Sequence, residues 1–218
     1  MSERIQVVEN IMNANDRLAA ENRDRLEKAG VYAINIMASP GAGKTSVIEQ
    51  TVPKLSGSYR VAVVDGDVAT TIDADRAAAA GAKAVQINTG GECHLDAVML
   101  QQALNQLNLE ELDLLIVENV GNLICPSSFQ LGTHKSVLIA SIPEGDDKPY
   151  KYPAMYRGVD VLLVNKIDLL PYIPFKMDYF LQGVEILNPG LKTFQLSCQT
   201  GEGLDEWIGW LQAQIASK

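Results

Sequence analysis

Three groups of side chains in this sequence have the types and spacing to do chemistry. The first is Ala38-Ser39-Pro40-Gly41-Ala42-Gly43-Lys44-Thr45-Ser46, set between an aliphatic run and an apolar helical stretch. Apart from Ala38 in place of the first glycine, it follows the Gly-x4-Gly-Lys-Ser/Thr pattern, in which backbone N–H groups turn inward around a polyphosphate at a helix N-terminus. Gly41, Ala42, Gly43, Lys44, Thr45 and Ser46 are the expected phosphate contacts, with Lys44 reaching the β and γ phosphates and Thr45 ligating Mg²⁺. The second group is acidic: Asp67 ends Val64-Asp65-Gly66-Asp67, and Glu118 follows Val117. In a parallel sheet the carboxyl ends of strands share the edge where a phosphate loop sits, so Thr45, Asp67 and Glu118 form the expected magnesium set. Asp73, a little further on, is either the residue that orders an attacking water or a first-turn acid of a helix. The third group is soft: Cys93-His94 after Asn88-Thr89-Gly90-Gly91-Glu92, and Cys125 after Gly121-Asn122-Leu123-Ile124. Two thiolates and an imidazole suit zinc or another late transition metal. Helical neighbours point about 100° apart, so Cys93 and His94 share an ion only in a loop or at a helix start, which the glycines permit. Read singly, the cysteines are equally small packing residues and His94 a surface residue.

The elements that must hold these groups are legible as short aliphatic runs alternating with helical stretches. Val31 to Met37, Arg60 to Val64, Ala84 to Ile87, Leu114 to Val117, Val137 to Ile142, Val159 to Val164 and Thr193 to Leu196 lack strict alternation, as strands buried on both faces do. Helices are clearest at Thr45 to Leu55, Cys93 to Leu107 and Leu204 to Ala216, and the rhythm predicts an α/β fold with a mostly parallel sheet flanked by helices. Ile5 to Lys28 reads as an amphipathic N-terminal helix, giving residues 1–30 as a leading helix and 31–218 as one phosphate-loop NTPase domain. The 218 residues are 47% apolar, ample for one core, and the net charge of -9 disfavours nucleic acid as a partner. No run approaches a membrane span, and the first residues lack the pattern of a signal peptide. Three cysteines and two histidines, thinly spread, point to a reducing cytoplasm without disulfides. Cys198 reads as a packing residue, and His134 has no soft neighbour in sequence.

Asn165-Lys166-Ile167-Asp168, directly after Val161 to Val164, resembles the guanine-reading motif of GTPases. A carboxylate at Asp168 accepts from both N1–H and the 2-amino group of guanine, whereas adenine offers neither. Asn165 would support the loop, Lys166 would cover the ring, and Ser197-Cys198-Gln199 resembles the loop that meets guanine O6 through backbone N–H groups. Two further readings compete. A small-molecule kinase shares the phosphate loop but has no need of Asn165 to Asp168, and a non-catalytic metal-responsive binding protein would use the soft residues without turnover.

Together with Cys93-His94-Leu95-Asp96, Glu118-Asn119-Val120-Gly121-Asn122-Leu123 and Cys125-Pro126, these motifs resemble the HypB family of hydrogenase nickel-incorporation GTPases. That family belongs to the metallochaperone group that also holds the urease accessory GTPase. The resemblance covers nearly the whole chain, including Asn15-Asp16-Arg17 and Asn22-Arg23 of the leading helix. It implies GTP hydrolysis with Mg²⁺, a homodimer when GTP is bound, and nickel or zinc held by Cys93, His94 and Cys125 at the subunit interface. It also implies a HypA-type accessory protein and the large subunit of [NiFe]-hydrogenase as partners. Some relatives carry an N-terminal cysteine cluster or histidine-rich tract; this sequence has neither, so nickel storage is not expected. The urease accessory GTPase would show Cys-Pro-His where Cys93 and His94 are adjacent. No obvious catalytic arginine is identifiable, which predicts slow hydrolysis.

Overall fold

All seven aliphatic runs become strands in the computed structural model, which describes residues 7–67, 71–122 and 124–218. They are β1 (Tyr32–Ala38), β2 (Val61–Asp67), β3 (Lys83–Asn88), β4 (Leu114–Glu118), β5 (Lys135–Ser141), β6 (Val161–Asn165) and β7 (Lys192–Gln195). They form one sheet in the order β3-β2-β4-β1-β5-β6-β7, parallel at every pairing. The runs lack alternation because both faces are covered, and every residue of β1, β4 and β6 is buried.

Alternate residues of each strand feed different cores. Tyr32, Ile34, Ile36, Val61, Val63, Leu114 and Ile116 pack against α2 (Lys44–Leu55), α3 (Ile72–Ala79) and α8 (Leu204–Ala216). On the opposite face, Ala33, Ala62, Val64, Leu115 and Val117 meet α1 (Val7–Lys28) and α4 (Ala97–Leu104). Leu138, Leu162 and Val164 meet the short α6 (Pro153–Arg157), which follows α5 (Lys148–Lys151), and α7 (Met177–Leu187). The phosphate loop follows β1, where strand order turns outward in both directions, the place where open parallel sheets bind ligands.

One boundary and one helix depart from the sequence pattern. α4 begins at Ala97 rather than Cys93 because Asp96 caps it, its side chain accepting from the Met99 N–H, and this leaves Cys93 to Leu95 in a loop. α7 is a helix the pattern does not single out. The leading helix runs from Val7; the expected Ile5 start lies outside the described residues. Its inward stripe is Asn15, Ala19, Asn22 and Leu26, and the two buried asparagines are tied to backbone. Asn15 donates to the Gln130 carbonyl and accepts from the Ala97 N–H, while Asn22 donates to the carbonyls of Ala97 and Leu131. No helix among the described residues is long and apolar enough to cross a membrane.

Candidate functional site

The phosphate loop is shaped from outside by the last residue of β6 and the one that follows it. Asn165 Nδ2 donates to the Ala42 carbonyl at 3.0 Å and Lys166 Nζ to the Gly41 carbonyl at 2.6 Å. Both bonds hold loop carbonyls from outside, while within the loop the Ala42 N–H donates to the Ser39 carbonyl at 3.3 Å. Gly43 has φ +103°, and a Cβ there would lie 2.5 Å from Asn165 Nδ2, so only glycine allows this brace. Lys166 itself sits at φ +63°, a conformation costly for a side chain and held because its N–H donates to Asn165 Oδ1.

Beside this brace opens a cleft of about 390 Å³ lined by Ser46, Asn165, Lys166, Asp168 and Cys198. The Ser197 hydroxyl donates to Asp168 Oδ1 at 2.5 Å and accepts from the N–H groups of Gln199 and Thr200, which fixes the carboxylate. Burial pushes the Cys198 thiol up to about 11, so it is a neutral wall of the cleft. The residues expected to read a base, Asn165, Lys166, Asp168, Ser197 and Cys198, are thus brought together.

The acidic group brings in a residue that the sequence reading did not name. Asp65, Asp73 and Glu118 each place a carboxylate oxygen within 4.8 Å of the others. Asp65 is the register neighbour of Glu118 across β2 and β4, whereas Asp67 lies two residues, about 7 Å, further on, opposite Asn88 of β3, and is outside this group. A carboxylate within an aliphatic run was the signal for Asp65. The Thr45 hydroxyl donates to Glu118 Oε1 at 2.8 Å. Asp65 Oδ2 and Glu118 Oε2 are buried without a hydrogen-bond partner among the described residues. Burial above all pushes Asp65 and Glu118 up to about 7, helped by Asp73 and Asp67 on Asp65 and by Asp65 and Asp73 on Glu118, with Lys44 opposing in both. Orphaned oxygens on hard, crowded carboxylates next to Thr45 fit a divalent cation such as Mg²⁺.

The soft residues also converge. Cys93, His94 and Cys125 place ligand atoms within 4.8 Å of one another, all three partly exposed. His94 stacks on Phe129 with ring centroids 3.9 Å apart. The neighbouring Cys125 thiol, with burial, raises the pKa of Cys93. Leu95, fully buried, plugs into the space left by Gly66, where a Cβ would lie 2.6 Å from it, and this pins the loop to β2. His134 stands apart: its Nδ1 accepts from the Ala33 N–H and its ring stacks on Tyr32.

Two asparagines that sequence reasoning did not assign join the two regions. Asn119, fully buried, accepts from the N–H groups of Leu95 and Val120 through Oδ1 and donates to Asn35 through Nδ2. Asn122 donates to the Cys93 carbonyl and accepts from the Ile124 N–H, spanning the two halves of the soft cluster. Between them, Gly121 lies against Pro40 and Lys44 of the phosphate loop. One segment, Glu118 to Asn122, therefore touches the phosphate and soft sites alternately.

Comparison with known proteins finds relatives along nearly the whole chain. The CobW/HypB/UreG nucleotide-binding domain family matches residues 32–195. The hydrogenase maturation factor HypB of Azotobacter vinelandii is 44% identical over 217 residues, which cover 100% of this chain and 72% of that protein. The crystal structure of HypB from Archaeoglobus fulgidus is similar at a TM-score of 0.87 and 37% identity, covering 93% of this chain and 99% of that one. HypB from Helicobacter pylori, solved in complex with nickel, is similar at a TM-score of 0.89 and 38% identity, covering 94% and 96%.

Proposed function

Since this chain belongs to the CobW/HypB/UreG family and, within it, to the hydrogenase maturation factors HypB, we propose that it is a GTP-hydrolysing nickel metallochaperone whose nucleotide controls its hold on the metal. The observation that carries the proposal is the segment Glu118 to Asn122, which touches the phosphate loop through Glu118 and Gly121 and the soft cluster through Asn119 and Asn122.

Guanine enters the cleft beside Asp168, whose Ser197-oriented carboxylate takes the two N–H donors of its edge. Lys44 and the loop N–H groups hold the β and γ phosphates. Thr45, Asp65 and Glu118, with Asp73 adjacent, would hold Mg²⁺, which supplies neutralisation of the β and γ oxygens. Asp73 orients the attacking water. Nickel is cargo here. Cys93, His94 and Cys125 bind it as two thiolates and an imidazole, short of a closed tetrahedral set, and zinc suits the same donors. An open position suits an ion that must leave. Ile124, 64% exposed one residue before Cys125, supports a protein surface closing over the cluster, namely a second copy of the chain when GTP is bound. The recipient is the large subunit of [NiFe]-hydrogenase, with a HypA-type accessory protein as intermediary, in a cytoplasm that keeps the thiols reduced.

Linkage makes the coupling reciprocal: if nucleotide alters nickel affinity, nickel alters nucleotide affinity by the same factor. The test is nickel titration of the GDP-bound and GTP-analogue-bound protein, with solution mass and phosphate release measured alongside. Affinity that differs between the two states supports the proposal, and equal affinities overturn it.

A further inference from the structure

The phosphate cleft has a cationic wall that the motifs leave unexplained. In a cavity of about 310 Å³, Arg76 of α3 faces the same space as Lys44, Thr45 and Asp73. Its guanidinium is held on two sides. Nε and Nη2 reach Glu49 of α2 at 2.9 and 2.6 Å, and Nη1 reaches Asp73 at 3.2 Å. The Arg76 side chain is 40% exposed and Glu49 32%, so water screens the pair, and pairs of this kind add little to fold stability. What the pair does achieve is orientation: it fixes a planar fork of donors at the rim of a polyphosphate site. Both carboxylates holding it are single negative charges, whereas a triphosphate in the loop presents a denser cluster of anionic oxygens to the same fork.

We propose that Arg76 is a catalytic residue of GTP hydrolysis, transferring its guanidinium from Asp73 and Glu49 to the γ-phosphate. The inference rests on the GTPase reading above. In the step it serves, the water oxygen bonds to the γ-phosphorus and the bond from that phosphorus to the β–γ bridging oxygen breaks. The electron pair stays on the β-phosphate of GDP, and the water proton ends on inorganic phosphate. Negative charge shifts onto the bridging and γ oxygens, and a bidentate cation stabilises that distribution more than the ground state. Asp73 and Arg76 lie three residues apart on one helix, so the element that aligns the water also delivers the arginine.

Single-turnover hydrolysis of GTP by the full chain with Mg²⁺ tests this, with GDP affinity measured on every variant. Arg76→Ala should slow phosphate release about 10²-fold, the usual scale for one donor to a developing anion, and GDP affinity should fall far less. Arg76→Lys should recover part of the loss, keeping the charge without the fork. Glu49→Gln breaks the same ion pair but leaves the guanidinium, and it should not reproduce the loss. Equal losses in Arg76→Ala and Glu49→Gln, or parallel loss of GDP binding in Arg76→Ala and Arg76→Lys, would make Arg76 structural and overturn the inference. Undiminished turnover in Arg76→Ala overturns it as well. Absence of turnover in the unmodified protein would instead overturn the GTPase reading, and this inference with it.

Discussion

Replacing Asp65 by asparagine should make the nucleotide-free protein more stable while weakening its grip on GTP. Asp65 is 2% exposed, lies beside Glu118 in strand register and has one carboxylate oxygen without a partner among the described residues. Burial first, then Asp73 and Asp67, push it from 3.8 to about 7, against Lys44 and the Ala74 N–H. An acid whose folded pKa lies above its unfolded one keeps its proton in the folded state while the unfolded chain has lost it. Stability therefore falls as pH rises from about 4 to about 7, and the full cost stands above that. The gap corresponds to a ceiling of roughly 4 kcal/mol at pH 8. Asparagine matches the shape, keeps an acceptor for the Ala74 N–H and offers an amide donor to the orphaned Glu118 oxygen. The assay is urea denaturation of both proteins in chelator at pH 5, 6.5 and 8, where the gain should grow with pH toward that ceiling. With GTP and Mg²⁺ present the order should reverse, because a cation ligand has gone. Identical pH slopes for the two proteins, or a less stable variant at pH 8, would refute the reasoning.

Asn119→Ala should leave nickel affinity nearly independent of the bound nucleotide, at a stability cost of about 1–3 kcal/mol from the unpaired Leu95 and Val120 N–H groups and Asn35. Titration in both nucleotide states checks this, and a fully retained difference would sink it. Asp168→Asn should lose at least about 10²-fold in GTP affinity and gain xanthosine triphosphate, whose C2 carbonyl accepts from the new amide; competition binding reads both. Burial and the nearby Arg23 hold His134 down to about 4, so the unfolded chain takes up a proton near 6.5 that the folded protein refuses. Stability is lost as pH falls through that window. His134→Gln, which still offers an acceptor to Ala33, should flatten the dependence in thermal unfolding between pH 4 and 7.

The sheet was legible because seven β-branched and leucine-rich runs, punctuated by glycine, leave a two-sided burial signature that needs no partner to be read. Lys44, Thr45 and Asn165 to Asp168 were legible because their chemistry is local: each motif sits on one turn after one strand. Asp65 was obscured for the opposite reason. Choosing between Asp65 and Asp67 requires the β2–β4 register, a relation between chain segments more than 50 residues apart. Asn119 and Asn122 stand in a block that marks the family resemblance but says nothing of their partners, and together with Arg76 they acquire their roles only from Leu95, Cys93 and Glu49 across the fold. The late start of α4 shows a capping aspartate and two glycines outweighing apolar periodicity, and that displacement is what frees Cys93 and His94 to face one point.

Glu118 and Asn119 are consecutive, so strand pleating sends their side chains to opposite faces of the sheet. The relation between the two sites is thus a matter of parity. Deleting or inserting one residue within Leu114 to Val117 would exchange the faces, turning the amide toward Thr45 and the carboxylate toward Leu95, and both sites would fail together. A two-residue change would preserve parity but misplace both side chains by the same step along the strand. Drift in this stretch therefore proceeds by substitution and not by change of length. Neither site can be retuned by sliding β4 without carrying the other along.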